Sequence, residues 1–207
     1  AFLYGLNDDD TSSGNSGLSG LLGKAAGMAG EDWLQEGTDA NKVAQQIYDY
    51  FTQKIGTSGA FAVGLLSNVR EESHFDPQIS QGGGHFGKHD KEPDSGGPGG
   101  GLYQFTPYSK YTGSKQFEKS GWEVEPQSEF VWDSEFRSGA VQAYMPLVPA
   151  RTGGDRMGFP KMVNRSGNGK VKLDKNAWLT TSDPIEASAT FQLSYERPGQ
   201  YLSLIHI

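Results

Sequence analysis

A chain of 207 residues with 35 % hydrophobic and 12 % aromatic residues is long enough for one domain with a real core, and too aromatic to be disordered. Its net charge of −7 argues against a nucleic-acid partner, its lack of cysteine excludes disulfides and thiol catalysis, and no stretch approaches the roughly 18 apolar residues of a membrane span. The 29 glycines predict long loops around a modest core.

The first ten residues, AFLYGLNDDD, lack the basic and apolar regions of a signal peptide, and without an initiator Met the chain is expected to be cut from something longer. Residues 8–30 are rich in Gly, Ser and Ala, so residues 1–32 are expected to form a flexible arm and the folded domain to run over 33–201. In residues 37–56, Val43, Ile47 and Phe51 recur at four-residue spacing, Thr38 or Asp39 can cap, and Gly56 can stop an amphipathic helix. A second helix follows, capped by Ser58, with Phe61, Ala62, Leu65, Leu66 and Val69 as its buried stripe. Residues 76–101 form a long Gly- and Pro-rich loop, of a length that usually carries function. Residues 126–139 read as helical, with Phe130, Val131 and Phe136 apolar, while 140–176 show turn signals and no assignable element. Residues 181–199 predict a closing helix with Asp183 as cap, Pro184 at its first position and Pro198-Gly199 as its stop.

At the end of the second helix stand two glutamates, in VREESHFDPQIS. Glu72 lies three residues after Val69 and seven after Leu65, so it shares the buried stripe; Glu71 falls on the polar side with Ser67 and Asn68. A carboxyl held against apolar groups keeps its proton to higher pH, which suits a general acid. From spacing alone Glu72 is either such an acid or a residue paired locally at the helix end, where a carboxylate opposes the helix dipole.

The blocks GLLSNVREESHFDP and GLYQFTP, a helix with Tyr50-Phe51 near its end, the Gln127–Trp132 helix and the closing YERPG, taken in order, resemble the phage tail lysozyme family over about residues 38–200. That family is related to goose-type lysozymes and lytic transglycosylases. The resemblance implies a mainly α, lysozyme-like fold with a substrate cleft, and cleavage of the MurNAc–GlcNAc β-1,4 bond of peptidoglycan without a cofactor. Its acid, the Glu before Ser, lands on Glu72. A lytic transglycosylase giving anhydro products and a non-catalytic wall-binding tail module are the alternatives. The implied partners are bacterial peptidoglycan and other phage tail proteins, with the protein acting on the wall from a virion tail or as a free, bacteriolytic lysin.

Gly101–Phe105 is then expected to wall the sugar cleft. Gln104 offers a donor and an acceptor to sugar groups, and Tyr103 and Phe105 offer faces for stacking, with the core as the other place for Phe105. Ser73 is read either as a partner of the catalytic carboxyl or as a helix cap, and Tyr195 is a candidate to reach Glu72. A second carboxylate, where the chemistry needs one, is sought in Asp94, Asp90 or Glu196, the last with an alternative structural role. His85, His89, Asp90 and Asp94 invite a metal reading, but GGGHFGKHD is a poor helix for H-x-x-x-H ligation, so a polar, mobile loop and no metal are expected. The tail LSLIHI, residues 202–207, follows the domain abruptly and is read as non-native.

Overall fold

The computed structural model describes residues 32–138, 144–146, 170–172, 175–191 and 194–195. The expected arm up to residue 31, the YERPG end from Glu196 onward and the 202–207 tail lie outside them.

After a 3₁₀ turn at Asp32–Leu34, helix α1 spans Asp39–Asp49. Thr38, not Asp39, caps it: the Asn41 N–H donates to the threonine hydroxyl at 3.1 Å. The predicted helix does reach Gly56, but its last part, Tyr50–Ile55, widens into a π-helical turn in which the adjacent Tyr50 and Phe51 are both buried. Gly56 then adopts φ 86°, a left-handed stop that suits glycine.

Helix α2, Gly59–Ser73, is capped by Ser58, whose hydroxyl accepts from the Phe61 N–H at 3.0 Å. Every residue from Phe61 to Leu66 is buried, so α2 is a central helix with no fully solvated side. Asn68, expected on a polar face, is buried as well, and the Ser67 hydroxyl meets Ser188 at 2.7 Å.

Three short elements follow the long loop: α3 at Ser109–Thr112, α4 at Lys115–Ser120 and α5 at Val124–Val131, which continues π-helically over Trp132–Arg137. The region that gave no sequence assignment contributes a two-stranded antiparallel pair, β1 at Tyr144–Pro146 and β2 at Lys170–Lys172, with Met145 opposite Val171, and then helix α6, Lys175–Leu179. The closing helix α7 spans Pro184–Phe191. As predicted, Asp183 caps it, its carboxylate accepting from the Glu186 N–H at 3.2 Å. Ser194 and Tyr195 are again helical.

Helix α7 lies tightly on α2. A Cβ added at Gly64 would stand 2.6 Å from Ala187 Cβ and from the Ser188 backbone nitrogen, so glycine is what permits this approach. The core has two aromatic groups. One joins Phe61, Phe136, Trp178 and Phe191 between α2, α6 and α7; the other joins Phe86, Phe105, Tyr111 and Trp122 beneath the long loop. The fold is mainly helical, as expected.

Candidate active site

The last turn of α2 opens onto a polar cleft of about 320 Å³. Glu72 lines it with His74, Gln104 and Thr106, and the segment Ile79–Gly83 forms its floor. Local geometry produces this opening. His74 and Phe75 both take left-handed backbone angles, φ 51° and 61°, which turn the chain sharply off the helix. Phe75 is driven into the core against Trp33, ring centroids 5.4 Å apart, while His74 stays exposed. Asp76 then accepts from the Gln78 N–H at 2.9 Å and settles the turn.

Glu72 is half-buried, and among the described residues no hydrogen-bond donor sits on its carboxylate. Burial pushes its pKa up from the ordinary glutamate value, and the negative charge of Glu71 adds to the rise. Glu71 itself is exposed and paired with Arg70. The two neighbours thus differ in environment in the sense expected from their positions on the helix.

The opposite wall carries Gln104, held at φ 43°, a third left-handed non-glycine residue around the same cleft. Its amide nitrogen donates to the Gly101 carbonyl at 3.2 Å. A Cβ at Gly99 would lie 2.7 Å from its Oε1, so the bare backbone of Gly99 makes room for the amide.

The other expected site residues are placed differently. Tyr103 is buried, with its hydroxyl 2.8 Å from Ser128 Oγ, and Phe105 is buried and stacked on Tyr111 at 5.0 Å; neither side chain lines the cleft as a sugar platform. Each joins the aromatic group under the cleft instead, Tyr103 packing on Phe105 with ring centroids 5.8 Å apart, while Gln104 between them lines the cleft. Ser73 is buried and donates to the Val69 carbonyl at 2.9 Å, so its hydroxyl is spent on its own helix. Gly101 lies under Trp122 and Gln127. Tyr195 donates to the Tyr103 carbonyl at 3.2 Å and so braces the wall from behind.

Asp90 and Asp94 do not line the cleft. Asp94 accepts from the His85 N–H at 2.7 Å, which holds its carboxyl below the usual range, and Asp90 folds against Gly87 while its carbonyl receives the Trp122 indole N–H at 2.9 Å. Glu196 lies outside the described residues. The His85 ring meets Asp76 at 2.6 Å, and among the described residues no group of three metal-ligating side chains converges.

The sequence reading missed how the loop is built. Phe86 is buried, 4.2 Å from Trp122 between ring centroids, and anchors a segment that was expected to be polar and mobile. Backbone bridges pair Ile79 with His85 and Ser80 with Gly100, which brings the floor and the Gln104 wall together. An isolated aromatic in GGGHFGKHD was the available signal. His74, Ser80, Gln81 and Thr106 were also missed as lining residues, since their exposure to the cleft depends on the left-handed turns.

A half-buried glutamate at a helix end, facing a polar cleft in a mainly helical domain, is the arrangement of a lysozyme-like protein. The sequence model of the family described as phage tail lysozyme matches residues 42–203, and the chain belongs to that family. Membership carries peptidoglycan cleavage of the lysozyme kind and a phage tail context. No match is found among curated proteins. No helix of the described residues is long and apolar enough to cross a membrane.

Proposed function

We propose that this domain cleaves the MurNAc–GlcNAc β-1,4 bond of peptidoglycan with Glu72 as general acid. The observation that carries the reading is that Glu72 is the one carboxylate lining the cleft among the described residues, and that its burial raises its pKa above the ordinary glutamate value. In this reading the Glu72 carboxyl gives its proton to the leaving glycosidic oxygen as the sugar takes on oxocarbenium character. Gln104, which lines the same cleft, supplies an amide to hold sugar hydroxyl or N-acetyl groups. On a virion the activity opens the wall locally; as a free lysin it lyses cells from outside. No cofactor takes part.

A second outcome of the same protonation is transglycosylation, in which a hydroxyl of the substrate attacks in place of water. Among the described residues, Asp90 and Asp94 are engaged away from the cleft, an arrangement this route accommodates because it needs no second carboxylate.

Mass spectrometry of products from purified peptidoglycan, with the parent and Glu72→Gln, tests the reading. Reducing MurNAc ends that vanish in the variant mean a muramidase; anhydro ends that vanish mean a transglycosylase. An equally active variant means that another group is the acid; no cleavage by the parent leaves a wall-binding module.

A further inference from the structure

The most completely engaged polar side chain near the cleft is one that does not touch it. Gln127, on α5, is fully buried. Its Oε1 accepts from the Leu102 N–H at 2.8 Å, and its Nε2 donates to the carbonyls of Pro77 and Trp122 at 2.9 and 3.0 Å. These three bonds reach three separate segments. Pro77 stands between the α2 end that carries Glu72 and the floor that begins at Ile79. Leu102 stands two residues before Gln104 on the opposite wall. Trp122 carries the ring on which Phe86 of the long loop rests. The Ile79 carbonyl also receives the Gly101 N–H at 2.8 Å, so the two walls are already joined once by backbone, and Gln127 fixes the joint from below.

We infer that Gln127 is a positioning residue for the reaction, setting the spacing between the Glu72 side of the cleft and the Gln104 wall. This rests on the proposed function above. The amide is suited to the task in a way other side chains are not: two acceptors and one donor of the backbone face it, and only a carboxamide offers two donor hydrogens and an acceptor in one plane at that reach. Because burial excludes water from these groups, no solvent molecule takes over when the amide is lost. A shift of about 1 Å between a catalytic group and a bound substrate can lower turnover on the order of 10²-fold, so the loss should fall on kcat more than on KM.

The test compares the parent, Gln127→Leu, Gln127→Glu and Glu72→Gln on soluble uncrosslinked peptidoglycan strands, scoring newly formed sugar ends across pH, with circular dichroism to establish folding. Gln127→Leu is expected to lose at least about 10-fold in kcat at every pH, with KM within about 3-fold. Gln127→Glu keeps the acceptor for Leu102 but, when ionised, turns a negative charge on the Pro77 and Trp122 carbonyls. As pH falls the introduced carboxyl gains a proton and can donate again, so the activity of this variant relative to the parent is expected to climb toward acid pH, whereas the ratio for Gln127→Leu stays flat. Circular dichroism at each pH separates that contrast from loss of the fold, which a buried ionised carboxylate would also cause as pH rises. A folded Gln127→Leu within 2-fold of the parent in kcat overturns the inference, and so does a folded Gln127→Glu that matches the parent's kcat at every pH. If Gln127→Leu does not fold, Gln127→Glu decides; if neither folds, the residue is a folding element and the inference falls. An inactive Glu72→Gln beside a normal Gln127→Leu sinks this inference alone. An active Glu72→Gln, or a parent that forms no new ends, removes the proposed function and the positioning role with it.

Discussion

At the scale of single residues, the proposed chemistry turns on the contrast between Glu71, exposed, and Glu72, half-buried. A general acid acts only in its protonated form, so kcat/KM should hold at low pH and fall as pH rises through the elevated pKa of Glu72. Glu71→Gln removes the second cause of that elevation and is expected to move the alkaline limb to lower pH while leaving the plateau nearly unchanged; a pH–rate profile reads this directly. Glu72→Gln should lower activity by about 10²-fold or more. Folding favours the protonated carboxyl, since burial raises its pKa above that of the unfolded chain. The stability this contributes is full below the unfolded value and is lost as pH rises through the folded one. The uncharged Gln variant escapes that loss, so calorimetry should find it melting above the parent at neutral pH and level with it in acid.

At the scale of elements, the crossing of α2 and α7 is set by small side chains. Gly64→Ala would force a methyl within 2.6 Å of the Ser188 backbone and 2.7 Å of the Pro184 carbonyl, neither of which can swing away. A loss of about 1–3 kcal/mol in urea unfolding is expected, without direct contact to the cleft. Both helices were legible in the sequence because caps and periodicity are local: Thr38, Ser58, Asp183 and Pro184 all act within one turn. The partner of each face was not legible. Asn68 looked like a surface residue until Ser188, 120 positions later, supplied its hydrogen bonds at 3.1 and 3.2 Å. Likewise the sequence marked two residues that line the cleft, Glu72 by helical phase and motif and Gln104 by motif alone. Tyr103 and Phe105 were read toward the sugar because an aromatic suits a core as well as a sugar face, and their partners Ser128 and Tyr111 come from later in the chain. Gln127 lay within a quoted motif, yet its role depends on three distant backbone groups.

For the whole molecule, the cleft floor depends on the core beneath it. Phe86 joins the long loop to Trp122 and Tyr108, and the Lys88 and Asp90 carbonyls receive the backbone and indole N–H groups of Trp122, both at 2.9 Å. Phe86→Ala should cost about 3–5 kcal/mol by chemical denaturation and should also depress activity, since the Ile79–Gly83 floor hangs from the same loop. A variant that lost stability but kept full activity at low temperature would show the floor to be independent of its anchor.

The closure of α7 over α2 has a consequence for synthesis. The helix that presents Glu72 is complete by residue 73 and meets Phe51 at once, but the Gly64 face is covered only when Ala187 and Ser188 arrive, and even its cap is gripped from afar, the Ser58 hydroxyl donating to the Thr181 carbonyl at 2.6 Å. A nascent chain therefore carries its acid long before it can hold it in place. A ribosome stalled before Pro184 would display the Glu72 helix with its Gly64 face still uncovered, and that face closes only once α7 has left the exit tunnel.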